Sequence, residues 1–113
     1  MSEAIYIVGG ARTPMGGLMG DLASVSAPQL GSTAIKAAVE RANLDAAVID
    51  EVFMGCVLPA GLKQCPARQA ARYAGVPDHV GAVTVNKACG SGMQATIFGI
   101  DSIRAGTNSI AIA

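Results

Sequence analysis

One of the chain's three cysteines stands where its surroundings could make it react. Asn86, Lys87, Ala88, Cys89, Gly90, Ser91 and Gly92 follow one another where a run with strand character gives way to a run with helical character. A thiol at such a junction meets unpaired amides and the positive end of the helix dipole. Both favour the thiolate, the form that attacks. Cys89 is therefore the candidate nucleophile. Gly90 and Gly92 would allow a sharp turn and close approach of a substrate, and amides at the turn could face an oxyanion. The same position also suits an inert, buried cysteine at a glycine turn.

Other chemistry competes for these residues. Gly90, Ser91, Gly92, Met93, Gln94 and Ala95 fit the G-x-G-x-x-A pattern of a dinucleotide site after a strand and at the head of a helix. The acid expected about 20 residues further on is missing from Thr107 to Ala113. A Walker-type phosphate loop is excluded, because no Gly-Lys-Ser or Gly-Lys-Thr occurs. Cys56, Cys65 and Cys89 lack the paired short spacings of a metal centre, so no metal site is expected. His79 is the sole imidazole that could serve Cys89 as a base, but it sits in a Pro77, Asp78 turn that suggests simple solvation. Asp101 and Arg104, a helical turn apart, read as a local ion pair. Arg68 and Arg72 share a helix face that could meet a phosphate or an interface.

Positioning these side chains requires short β-branched runs alternating with longer helical ones, which predicts parallel βαβ units. Ile5 to Val8, closed by Gly9 and Gly10, reads as a buried strand. Ala11 to Val25, with Pro14, Gly16, Gly17 and Gly20, reads as irregular and long enough to be functional. Ser26 to Gln29 fits a capping box, and Leu30, Ala34, Ile35, Ala38 and Ala42 mark the packed face of the helix it opens. Val48 to Val57 supplies a second strand centred on Val52, Phe53 and Met54, with Cys56 a small buried hydrophobe in its structural reading. Pro66 to Ala74 reads as a short helix with a small-residue face and a left-handed cap at Gly75. Ala82 to Asn86 is a third strand, and Gly90 to Ala105 a third helix, apolar around most of its circumference and so expected to be largely buried. Ser109 to Ala113 begins a fourth strand in which the chain stops, and an unfinished ladder predicts a fragment.

The 113 residues allow one domain at most. Eight basic and eight acidic side chains balance, with no Lys/Arg run, so neither nucleic acid nor an anionic membrane is an expected partner. Charged residues make up 14% of the chain, against about 25% in ordinary domains. Several faces are therefore expected to be covered. With 51% apolar residues the chain can offset its ordering entropy, which excludes disorder. Its apolar runs fall well short of the roughly 20 residues that span a bilayer. Met1, Ser2, Glu3 and Ala4 show no secretory pattern, so a cytoplasmic address with reduced thiols is expected.

Val85, Asn86, Lys87, Ala88, Cys89, Gly90, Ser91, Gly92 and Met93 closely resemble the nucleophile motif of thiolases, bacterial acetyl-CoA acetyltransferases especially. Gly10, Ala11, Arg12, Thr13 and Pro14, and Pro66, Ala67, Arg68, Gln69 and Ala70, match two further landmarks of that family in the right order. The resemblance covers residues 1–113 and corresponds to a little under the first third of a family member. It implies a thiolase-like α/β fold, of which this would be the first βαβαβα part of the N-terminal half, with a mostly parallel sheet and a buried central helix. The loop domain and the C-terminal domain would lie elsewhere.

By the same resemblance Cys89 would carry an acyl group taken from an acyl-CoA thioester and pass it to a second acyl-CoA. Two acetyl-CoA would give acetoacetyl-CoA, or a 3-ketoacyl-CoA would be cleaved by thiolysis, with ping-pong kinetics. The backbone amide of Cys89 would serve an oxyanion hole. CoA thioester would be the substrate, with no tightly bound cofactor, and the subunit would be cytoplasmic, act in fatty acid metabolism and form a homo-oligomer, dimer or tetramer. The base, the second cysteine and most CoA contacts would come from downstream segments, so this chain alone should not turn over. Lys63 and Cys65 depart from the small or amide residues usual there, near a subunit contact in the family. A β-ketoacyl synthase-like condensing enzyme and a non-catalytic or dinucleotide-binding module are the alternatives.

Overall fold

The capping box expected at Ser26 forms and opens α1 (Ala27–Arg41). The Ser26 amide donates to Gln29 Oε1 at 3.0 Å, and the Gln29 amide donates to Ser26 Oγ at 3.3 Å. This computed structural model describes residues 3–113; Met1 and Ser2, part of the start read as lacking a secretory pattern, lie outside them. After α1 the chain forms a 3-10 turn at Ala46–Val48, then β1 (Glu51–Gly55), α2 (Pro66–Tyr73), β2 (Gly81–Val85), α3 (Ser91–Arg104) and β3 (Ala111–Ile112). Among the described residues, no helix is long and apolar enough to cross a membrane.

The three strands form a parallel sheet in the order β2-β1-β3, with Val52 beside Ala82 on one side and Ile112 on the other. Side chains along β1 alternate between its two faces, as a pleated strand requires. Val52, fully buried, packs with Ile35 of α1, Ala70 and Ala71 of α2, and Val80. Phe53 points the other way, to Val85 and to Ala95 of α3. Two helices thus cover one face and α3 the other. The small residues of α2 allow close packing: a Cβ on Gly31 of α1 would lie 3.0 Å from the Ala70 Cβ. Gly75 takes the left-handed conformation expected of the cap after α2, with φ of 85°.

Three expectations fail. Ile5 to Val8 form no strand; Tyr6, Ile7 and Val8 are exposed. A strand exists through its ladder, and the neighbouring β3 is only two residues long, with β1 on its one paired edge. The segment instead borders an apolar cleft with α1, α3 and β3. It is held where it meets α1, as Arg41 Nη1 donates to Gly10 O at 3.0 Å. The helix α3 is not largely buried, because only its Ser91, Ala95 and Gly99 stripe is buried. Met93 stays 74% exposed and Phe98 42%. Asp101 and Arg104 form no ion pair; among the described residues the one salt bridge joins Arg72 Nε to Asp78 Oδ1 at 3.0 Å.

The return of the chain into β3 depends on one carboxylate. Asp50 Oδ2 accepts the amides of Ser109 at 2.7 Å and Ile110 at 3.0 Å. The Ile110 bond, then the Ser109 bond, holds its carboxyl below the ordinary carboxylate range, against a smaller opposing effect of desolvation. A depressed native value means stability that is present above the unfolded pKa of about 3.9 and is lost as the pH falls through the native value. Asp50→Ala is accordingly expected to lower the melting temperature of the chain at pH 7, and the gap from the wild type should close in acid. A gap that persists unchanged below the native titration would refute this role.

Candidate active site

β1 and β2 are paired in register through Gly55 and Val85, so the segments that leave them emerge side by side. That is the carboxyl end of a parallel sheet, where open α/β sheets bind their ligands. The Cys56 amide donates to Val85 O at 2.9 Å and extends the pairing past the strand end. The first turn of α3 then folds back onto β1. A Cβ on Gly55 would lie 2.7 Å from both the Gly92 amide nitrogen and the Ser91 carbonyl carbon, so α3 approaches this closely because Gly55 has no side chain.

The segment from Asn86 to Gly90 makes the bend from strand to helix. Its left-handed residue is Ala88, with φ of 47°, where the glycine pattern pointed to Gly90 or Gly92. Gly90 instead caps α3 with φ of −89°, and Gly92 lies within the helix. An L residue in this conformation costs about 1–2 kcal/mol, and neighbouring side chains hold it there. Asn86 Oδ1 accepts the Ala88 amide at 3.1 Å, and Asn86 Nδ2 donates to Val57 O at 3.3 Å. Ser91 Oγ accepts the Lys87 amide at 2.9 Å and donates to Ala88 O at 2.6 Å. Lys87 Nζ donates to Gln94 Oε1 at 2.9 Å, lying along the start of α3. The sequence reading missed both polar side chains; an Asn two residues before a bend is a familiar Asx-turn signal that could have shown one of them.

Cys89 is exposed at this bend, just ahead of α3. Gly90 brings no side chain to the first turn of the helix, and among the described residues no acceptor takes the Cys89 amide. A Cβ on Gly92 would meet nothing within 4 Å, so this side is open to an incoming group. An exposed thiol beside uncapped helix amides can attack a carbonyl whose oxygen gains negative charge, and backbone donors can stabilise that charge. The strand, turn and helix that a dinucleotide site needs are also present, but the bend precedes the Gly90 to Ala95 pattern and falls on Ala88.

The remaining candidates lie apart or are occupied. His79 is in the turn before β2, and Cys89 follows its other end, with about 16 Å of strand between them. Arg68 is taken up by the turn ahead of β2, donating to Val80 O at 2.6 Å and Asp78 O at 2.7 Å. Arg72 pairs with Asp78 at the surface, so both arginines are engaged at the turn ahead of β2, and the surface role weighed beside a phosphate contact is the one seen. Gln69 holds the loop on the other side, donating to Leu62 O at 2.6 Å and Gln64 O at 2.8 Å. In that loop Lys63 and Cys65 both adopt positive φ, and Cys65 Sγ lies 3.3 Å from Thr84 Oγ1. Cys56 and Cys65 are half-buried. No group of three His, Cys, Asp or Glu that could hold a metal occurs among the described residues.

Known proteins share this architecture. Acetyl-CoA acetyltransferase 2 of Arabidopsis thaliana is 53% identical over 109 residues, which is 96% of this chain and 27% of that protein. The acetyl-CoA acetyltransferase of Cupriavidus necator is 49% identical over 109 residues, again 96% of this chain and 28% of the relative. A thiolase of Ascaris suum, solved in complex with coenzyme A, superposes with a TM-score of 0.90 at 39% identity, covering 91% of this chain and 27% of that one. The chain thus spans little more than a quarter of the length of the relatives it matches. The family described as thiolase, N-terminal domain, matches residues 5–113, and with fold, motifs and relatives in agreement, this chain belongs to the thiolase family.

Proposed function

We propose that the chain acts as the N-terminal part of a thiolase subunit, an acetyl-CoA C-acetyltransferase, with Cys89 as the acyl-carrying nucleophile. The observation that carries this reading is the exposed Cys89 thiol at the bend before α3, beside the first turn of a helix that no side chain caps. The Cys89 thiolate attacks the thioester carbonyl of acetyl-CoA, the new carbon–sulfur bond forms, and the bond to the CoA sulfur breaks as CoA leaves. One thioester replaces another, so the exchange is nearly balanced in energy. A second acetyl-CoA, deprotonated at its α carbon, then attacks the acyl-cysteine, giving acetoacetyl-CoA and regenerating the thiolate. The reverse sequence is thiolysis of a 3-ketoacyl-CoA. The scheme uses no tightly bound cofactor or metal.

The base, the second cysteine and most of the CoA contacts are assigned to the rest of the subunit. Exposed Met93, Ile97 and Phe98 on α3, and Met15, Leu18 and Met19 in the irregular segment, support a homo-oligomer, dimer or tetramer, in which the subunit and its copies cover these faces. A cytoplasmic place in fatty acid metabolism, with no nucleic-acid or membrane partner, completes the reading. The test is mass spectrometry of the complete subunit, quenched during turnover of acetyl-CoA. An acetyl group on Cys89 is expected; an acetyl group on another side chain, or none, would overturn the assignment.

A further inference from the structure

We propose that Asn86 and Ser91 are positioning residues that hold the Ala88 bend and so aim the Cys89 thiol; the inference rests on the thiolase reading and deepens it. Ser91 is 3% exposed and is the one buried polar side chain among the described residues. A buried hydroxyl is unfavourable unless its hydrogen-bonding capacity is used. Here it looks back across the bend, accepting from the Lys87 amide and donating to the Ala88 carbonyl. Asn86 closes the other side, accepting from the Ala88 amide and donating to Val57 O on the segment leaving β1.

Cys89 itself is held by no side-chain bond of this kind. Its direction follows from the backbone before it, where both the amide and the carbonyl of Ala88 are tied to a side chain. Backbone bonds also span the bend, from the Gly90 amide to Lys87 O at 3.0 Å and from the Ser91 amide to Ala88 O at 3.1 Å. Losing either side-chain tie therefore loosens residue 88 in its left-handed conformation and lets the Cys89 Cα–Cβ bond swing. Reaction with a bound thioester depends on that direction, since a misplacement of about 1 Å can cost on the order of 10²-fold in rate. Alkylation by a small freely diffusing reagent does not.

The complete subunit, with Ser91→Ala, Asn86→Ala or Asn86→Asp, separates these effects. The first two variants should form acyl-enzyme from acetyl-CoA roughly 10- to 100-fold more slowly, the size expected of misalignment. Their kcat should fall with KM for acetyl-CoA nearly unchanged, and iodoacetamide should alkylate Cys89 within about threefold of the wild-type rate. Asn86→Asp keeps an acceptor for the Ala88 amide but loses the donor to Val57 O, so it should recover part of the loss. Should Ser91→Ala not fold, the Asn86 pair decides, because that side chain lies on the surface. Wild-type acylation rates in Asn86→Ala, a parallel fall in alkylation, or no recovery in Asn86→Asp would each overturn the positioning role. A wild-type enzyme that carries no acetyl on Cys89 would instead overturn the thiolase reading beneath it.

Discussion

Cys89→Ser in the complete subunit is expected to lower acetyl transfer by roughly 10⁴- to 10⁶-fold, the scale on which an enzyme loses a member of its nucleophilic machinery. The substitution is nearly isosteric and falls on an exposed residue, so stability should move by less than about 0.5 kcal/mol. The loss has two physical sources. A hydroxyl has almost no anionic fraction at neutral pH, whereas a thiol supplies some thiolate even unaided. An oxygen ester is also a lower-energy acyl carrier than a thioester, so any acetyl-serine formed would pass its acyl group on reluctantly. Steady-state rates with acetyl-CoA, together with urea unfolding, check both parts. A variant that keeps more than about a tenth of wild-type activity would end the nucleophile assignment, because removing the true nucleophile does not leave so much.

Gly55→Ala is expected to destabilise the protein by about 1–3 kcal/mol, the range for forcing extra atoms into a close-packed contact. The atoms 2.7 Å from the new Cβ are the Gly92 nitrogen and the Ser91 carbonyl carbon. They belong to the backbone and cannot swing aside as a side-chain tip could. Relief therefore requires the first turn of α3 to move off β1, carrying with it the Ser91 hydroxyl that ties Lys87 and Ala88. Acyl-enzyme formation should fall along with stability. Gly92→Ala is the control: its Cβ would enter open space, and alanine is favoured over glycine in a helix by about 1 kcal/mol. Urea midpoints that are equal for wild type and Gly55→Ala would show that α3 is not seated as described.

The order of elements could be read along the chain wherever the deciding forces act within a few residues. Ser26 and Gln29 announce α1 because a capping box closes over three residues. The alanines of α2 and Gly75 after it mark a closely packed helix and its left-handed end by the same short-range physics, and Val52, Phe53 and Met54 mark β1. The three family motifs likewise lie in continuous stretches of chain, so they too were visible without coordinates. Ile5 to Val8 show the limit: an apolar run states a preference for burial, but a strand needs a partner edge, and the two-residue β3 does not provide one. The exposure of Phe98, the occupation of Arg68 by Val80 and Asp78, and the place of the bend at Ala88 are decided in the same way. Each depends on which distant backbone atoms lie within hydrogen-bonding or packing distance, and those neighbours are chosen when β1, β2 and α3 come together.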